Sequence, residues 1–410
     1  MLDLTLGTST GELQVQDFIQ RLSLHLTSCE ATTFLLDEYG EQEHDSSVST
    51  VADGIWWLYQ AVERNSVVRK LRIQKMRGQA QIPGLQTMRL TDDGLRVFPR
   101  LQNPAPAMAD DTRTDARVQT GVAGLDEMLG GGIPRGYWAS IAGPSGSGKT
   151  LLANSFILEG IAHDEPGVIA VFEKRPNDYL EKTPHHVVFD ALIRQRKLEV
   201  VYVRPLDLSI DETLTALQNA IQRVGARRAV IDSLSGLELA LAPTFREDFR
   251  ESLYRMVGAL TGMGVTVMST VEVQDAYTSL QFGTQGTAFL SDAIIMQRYM
   301  EIGGQLRRGM CVVKVRGSNH SKALREYTVD PHGALLVGDT LEGYEGLLTG
   351  APMRAGKRGG GEQERQASQR RGAASTAARG KPKARASRAS SAGRAGRGSR
   401  RPAPGRRRGQ

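Results

Sequence analysis

Gly143–Thr150 reads GPSGSGKT and fits the spacing G-x-x-x-x-G-K-[ST]. The chemistry of that spacing is phosphate binding. Gly146 and Gly148 let backbone N–H groups close around a β-phosphate, Lys149 reaches the β and γ oxygens, and the Thr150 hydroxyl faces a Mg²⁺ ion. The contacts expected along the loop are Gly143, Ser145, Gly146, Ser147, Gly148, Lys149, Thr150 and Leu151. Two carboxylates follow at the ends of apolar runs. Asp232 closes RAVID, where it either holds a water on the metal shell or caps the next helix. Glu173 closes GVIAVFE, where a carboxylate can support the metal and orient or deprotonate an attacking water; Lys174 follows it.

The loop needs a strand before it and a helix after it, and both are legible. YWASIAG reads as a strand, and LLANSFILEGIA carries apolar residues at 151, 152, 156, 157 and 161, a helical spacing. GVIAVFE, LEVVYV, RAVID and VTVMSTVEV read as further strands. DETLTALQNAIQRV, opened by Asp211, and EDFRESLYRMVGALTGMG read as helices between them. Such alternation predicts a mostly parallel sheet covered by helices on both faces. Two β-rich runs flanking IGGQ (302–305) then predict an antiparallel hairpin at the sheet edge.

The same chain contains an internal repeat. Asp53 and Asp292, Lys75 and Lys314, and Gly94 and Gly333 are each separated by 239 residues. KMRGQA ends at residue 80, and KVRGSN begins at residue 314. DFIQRLSLHL at Asp17 corresponds to DFRESLYRMV at Asp248, and TTFLL at 32–36 to the strand VTVMS at 265–269. The expected organisation is the back half of one domain at 1–101, a Pro/Ala/Asp-rich linker at 102–117, a complete second copy at 118–352 and a tail at 353–410. Asp3 is expected to be the first-copy counterpart of Asp232. A half-domain without its central strand exposes a sheet edge and calls for a partner.

Charge is divided unevenly. Residues 351–410 hold 18 of the 52 Lys and Arg but two of the 45 acids, a net +16 against −9 for the remainder. That Gly/Ala/Ser/Arg-rich tail is expected to be disordered. It is suited either to non-specific, salt-sensitive nucleic-acid binding or to solubilising and docking roles. Cys29 and Cys311 are too few for a disulfide framework or a metal cluster and read as buried small apolar residues. There is no signal-peptide pattern and no long apolar run, so a cytoplasmic protein with no membrane partner is expected.

The stretches TGVAGLDEMLGGGIPRGYWASIAGPSGSGKT, VFEK, VIDSLSG, SDAIIMQRYMEI and KVRGSNHSKALREY resemble the KaiC family of RecA-like P-loop ATPases, over 118–352 fully and over 1–101 as the back half of a domain. The resemblance implies Mg²⁺ and ATP as cofactors and a homo-oligomeric ring, a hexamer by family pattern, with nucleotide held between subunits. It implies that Lys314 and Arg316 act in trans on a neighbour's γ-phosphate, with Ser318, Asn319 and His320 lining that nucleotide, and that turnover signals to a partner protein. Lys75 and Arg77 match the same positions in the first copy. The family's paired glutamate is here Glu173–Lys174, and its adjacent Ser–Thr phosphosites are here Ala288 and Phe289. Autophosphorylation would then fall on Thr287 or Ser291. A Ser/Thr autokinase, a nucleic-acid-binding RecA-like protein using the tail, and a regulator that binds ATP without turnover are the competing readings.

Overall fold

The computed structural model describes residues 9–36, 38, 51–63, 66–100, 116–172, 175–181, 183–202, 209–241, 249–273, 290–346 and 353–354. Asp3, the tail beyond residue 354 and most of the linker lie outside them.

The second copy opens with an antiparallel pair of short strands, β5 (Arg117–Val118) and β6 (Ile133–Pro134), and is built on a nine-stranded sheet. In chain order the strands are β7 (Trp138–Gly143), β8 (Gly167–Val171), β9 (Leu198–Tyr202), β10 (Arg228–Asp232), β11 (Thr266–Glu272), β12 (Ala293–Ile302), β13 (Gln305–Val315), β14 (Arg325–Val329) and β15 (Leu335–Thr340). They lie in the order β15-β14-β13-β12-β7-β11-β10-β8-β9. The run from β12 to β9 is parallel, and β13–β15 continue it as an antiparallel meander. β7 and β8 are buried at every position, as expected for strands covered on both faces. One face packs under α2 (Ala123–Met128), α3 (Lys149–Ala162), α4 (Pro176–Glu181) and α5 (His186–Arg194). The other packs under α6 (Ile210–Val224), α7 (Leu234–Ala240) and α8 (Phe249–Gly262).

Two local expectations are corrected. The hairpin around IGGQ is β12–β13, turned by Gly303 and Gly304 at φ 62° and 76°, the left-handed pair a tight hairpin requires. It is internal, because β12 pairs with β7 and β14–β15 continue the sheet beyond β13. Helix α6 is opened by Ser209, whose Oγ accepts the Glu212 N–H at 3.1 Å; Asp211 is nearly buried in the first turn and pairs with Arg255 at 3.0 Å.

The repeat survives in three dimensions. The first copy contributes α1 (Ser9–Ser28) and a four-stranded sheet of β1 (Gly54–Glu63), β2 (Ser66–Met76), β3 (Gln86–Thr91) and β4 (Gly94–Phe98). β1–β2 pairs Ile55 with Lys75 and shifts register between Ile55 and Trp56. β12–β13 pairs Ile294 with Lys314 and shifts between Ile294 and Ile295. Lys70↔Thr87 recurs as Gly309↔Glu326. Every one of these pairs keeps the offset of 239.

The outer edge of β1 is where the copies diverge. β12 has β7 along that edge, whereas among the described residues β1 pairs with β2 alone. Trp56 and Leu58 are accordingly 53% and 58% exposed, while Ile295 and Gln297, their counterparts, are fully buried. The TTFLL segment forms no strand, which corrects its match to β11. With no neighbouring strand to bond among the described residues, residues 32–36 stay exposed, Phe34 resting against Trp56 with ring centroids 6.0 Å apart. The first copy is tied to α6 and α8 by Arg89–Glu212 at 3.0 Å and Arg100–Glu251 at 2.6 Å.

Cys311 is buried, which pushes its thiol up to about 11. Cys29 is exposed just beyond α1, contrary to the expected burial. Among the described residues no helix is long and apolar enough to cross a membrane.

Candidate nucleotide-binding site

The loop Gly143–Thr150 joins the end of β7 to the start of α3. A Cβ on Gly143 would stand 2.9 Å from the Gln297 carbonyl oxygen and from the Ser147 hydroxyl, so the loop begins where only glycine fits. Gly146 and Gly148 hold φ at 76° and 98°, conformations that ordinary side chains resist. These turns lead into the N-terminus of α3, whose unpaired N–H groups and dipole favour an anion. The loop borders a cavity of about 340 Å³ whose walls include Ser145, Lys149, Thr150, Tyr179, Asp232 and Glu272. Lys149 Nζ arches over the loop and donates to the carbonyls of Gly143 and Pro144 at 2.9 and 2.7 Å.

Below the loop, Thr150 Oγ1 donates to Asp232 Oδ2 at 2.8 Å, and Thr270 donates to the other carboxylate oxygen. Both Asp232 oxygens are thereby oriented from two sides. The helix-cap role falls to Ser233, whose Oγ accepts the Gly236 N–H at 2.9 Å and opens α7. One hydroxyl and one carboxylate beside a phosphate cradle suit Mg²⁺, which takes one or two protein oxygens and completes its shell with phosphate and water. Among the described residues no group of three His, Cys, Asp or Glu side chains forms an all-protein metal cage.

Some wall residues escaped the sequence reading. Tyr179, on α4, is buried and donates its hydroxyl to Asn154 Oδ1 at 2.7 Å. Burial, with the Asp232 charge behind it, pushes that phenol well above its ordinary range, so it stays a neutral donor. Glu272 ends β11 at the cavity wall, its N–H donating to Ser235 Oγ at 3.2 Å. The signal for Glu272 was available, since it is a carboxylate closing an apolar strand like Asp232. Nothing local marks Tyr179. Glu173, Lys174 and Thr287 lie outside the described residues.

The second basic group stands apart from this loop. Lys314 Nζ donates to the Ser291 carbonyl at 2.7 Å; partial burial and the adjacent Arg316 charge lower its pKa from the ordinary lysine range. Arg316 Nη1 donates to Asp292 Oδ1 at 2.8 Å, and its N–H to the Asp292 carbonyl at 2.7 Å. Asp292 N–H in turn donates to the Trp138 carbonyl. Arg316 is therefore level with Trp138, the first residue of β7, whereas the phosphate loop leaves from its last, Gly143. Five residues of strand amount to about 16 Å. Arg77 reproduces the arrangement on Asp53, at 2.7 Å through Nη1 and 2.8 Å through the backbone.

Ser318, Asn319 and His320 follow Arg316 and lie against the α2 region, not against their own phosphate loop. Arg117 Nη2 donates to Ser318 Oγ, Asn319 O faces Gly130, and His320 Nδ1 meets the Ser321 carbonyl at 2.9 Å. Ser291 is 3% exposed and its hydroxyl lies 2.6 Å from that of Ser140. Phosphate could reach it only if that hydroxyl left the interior.

The family model for the KaiC ATPase matches residues 4–102 and 118–340, two segments that coincide with the two structural copies. The chain belongs to the KaiC ATPase family. Its relatives include the circadian clock oscillator protein KaiC of Picosynechococcus sp., 29% identical over 325 residues, with 79% of this chain and 61% of that protein covered. The KaiC of Acaryochloris marina is 27% identical over 343 residues, covering 82% of this chain and 64% of the relative. The circadian clock protein KaiC3 of Synechocystis sp. is 28% identical over 353 residues, covering 83% and 67%. The chain thus spans less than two thirds of the length of the first two relatives. The match takes in the P-loop Gly143–Thr150 in its second segment and the first structural copy in its first.

Proposed function

We propose that this chain binds Mg·ATP in the Gly143–Thr150 cradle and hydrolyses it where a second copy closes the site, in a ring of six, with turnover signalling to a partner protein. The Thr150–Asp232 hydrogen bond carries the reading, because it joins a phosphate-loop hydroxyl to a strand-end carboxylate in the pairing a nucleotide-bound Mg²⁺ needs. Bound there, the ion would neutralise charge on the β and γ oxygens. Gly146, Gly148 and Lys149 hold the triphosphate, and Glu173 orients the attacking water. That water's oxygen forms the new bond to the γ-phosphorus as the bond to the β-phosphate oxygen breaks, its proton passing through Glu173 to solvent, and ADP and phosphate are released.

Lys314 and Arg316 complete the site of the neighbouring copy, Ser318, Asn319 and His320 accompany them, and the distance of Arg316 from its own loop supports this. The test is phosphate release and ATP binding by the full chain, compared with Lys149→Ala, Asp232→Asn and Arg316→Ala. Loss of binding in the first, loss of Mg²⁺-dependent turnover in the second, and loss of turnover with binding retained in the third are expected. Undiminished turnover in all three would refute the assignment.

A further inference from the structure

Two residues of β12 and one of β14 converge on the phosphate loop from behind. Ser147, 1% exposed, donates its hydroxyl to Gln297 Oε1 at 3.0 Å. The Tyr327 hydroxyl donates to the Ser147 carbonyl at 2.5 Å. Tyr299 Oη stands 3.0 Å from where a Cβ on Gly146 would be. Gln297 and Tyr327 are 0% and 1% exposed. The Gln297 Nε2 has no hydrogen-bond partner among the described residues, a cost accepted for the bond that its oxygen makes.

The direction of the Ser147 carbonyl matters for phosphate. In a trans peptide the carbonyl and the following N–H point opposite ways. Tyr327 draws the Ser147 carbonyl toward its own buried hydroxyl, so the Gly148 N–H points the opposite way, and Gly148 is among the residues that line the cavity.

The internal repeat supplies a control. The counterparts of Gln297, Tyr299 and Tyr327, 239 residues earlier, are Leu58, Gln60 and Met88. The first copy has no phosphate loop among its described residues, and there none of the three side chains is retained. Asp53, Lys75 and Arg77, which do not face such a loop, are kept as Asp292, Lys314 and Arg316.

We infer that Gln297 and Tyr327 are positioning residues that hold Ser147 so that the loop presents the Gly148 N–H to phosphate, tying the nucleotide cradle to the same β12–β14 sheet whose far end carries Lys314 and Arg316. The inference rests on the nucleotide-binding reading above.

The test is titration of the full chain with fluorescent ATP and AMP analogues, on wild type, Lys149→Ala, Tyr327→Phe, Gln297→Leu, Ser147→Ala and the Ser147→Ala/Gln297→Leu double variant. Tyr327→Phe keeps the ring, and Gln297→Leu installs the first copy's residue. Each is expected to weaken ATP binding about 3–10-fold, the value of one hydrogen bond. AMP, which carries no β-phosphate, should be nearly unaffected, so the ATP/AMP preference falls, as general loosening would not cause. In the Ser147→Ala background the Gln297→Leu penalty should vanish. If Tyr327→Phe and Gln297→Leu bind ATP like wild type, or the Gln297 penalty persists without Ser147, the inference is overturned while the nucleotide reading stands. If wild type binds no better than Lys149→Ala, the nucleotide reading fails and takes the inference with it.

Discussion

Mixing two inactive variants tests whether the site is shared. Lys149→Ala removes the phosphate lysine but leaves Arg316; Arg316→Ala does the reverse. In the structure Arg316 is hydrogen-bonded to Asp292 level with Trp138, about 16 Å along β7 from Gly143, farther than an arginine side chain extends. It cannot cap its own loop without rearrangement of the β12–β13 hairpin. Each variant alone should then lose turnover, by about 10³–10⁵ if Arg316 acts as an arginine finger. In a one-to-one mixture of exchanging subunits, about one quarter of head-to-tail contacts join an intact loop to an intact arginine, whatever the ring size. The mixture should recover about a quarter of wild-type phosphate release per chain, read in a coupled colorimetric assay. Pull-down with differently tagged variants verifies that mixed oligomers form. A mixture that co-assembles and stays as inactive as its parents refutes the shared site.

Arg77→Ala, the first-copy counterpart of Arg316→Ala, should leave turnover within about 2-fold of wild type and, as an exposed pair with Asp53, should cost less than about 1 kcal/mol in chemical unfolding. Gly160→Ala, although it improves helix propensity, should destabilise by about 1–3 kcal/mol in denaturant titration. Its Cβ would stand 2.4 Å from Arg228 Cδ, and that guanidinium is pinned by Glu165 and by the Gln119 and Phe156 carbonyls. Glu165→Gln should destabilise by about 3–5 kcal/mol, because it removes the charge facing an Arg228 side chain that is 3% exposed. A shift below about 1 kcal/mol in either would refute the packing argument.

What was legible in the sequence was whatever depends on local pattern. The loop at Gly143–Thr150, the apolar runs of β7, β8 and β10 and the offset of 239 between the copies all follow from residue type and spacing, and each reappears in the structure. Asp232 was legible as a carboxylate at a strand end, but not whether it caps a helix; that was settled by Ser233 taking the cap and by Thr150 reaching across from another element. The start of α6 was misjudged because Asp211 and Ser209 are both good caps, and Arg255, 44 residues away, draws Asp211 inward. TTFLL has the composition of a strand, yet a strand exists only where neighbours complete its hydrogen bonds, and among the described residues none pairs with 32–36. Tyr179, Gln297 and Tyr327 have no local signature at all. Tyr179 reaches the nucleotide cradle on α4, where its hydroxyl bonds Asn154 of α3. Gln297 and Tyr327 reach it because the sheet sets β12 beside β7 and the meander beyond β12, and contacts between residues more than a hundred positions apart are set by sheet order, which no local pattern encodes.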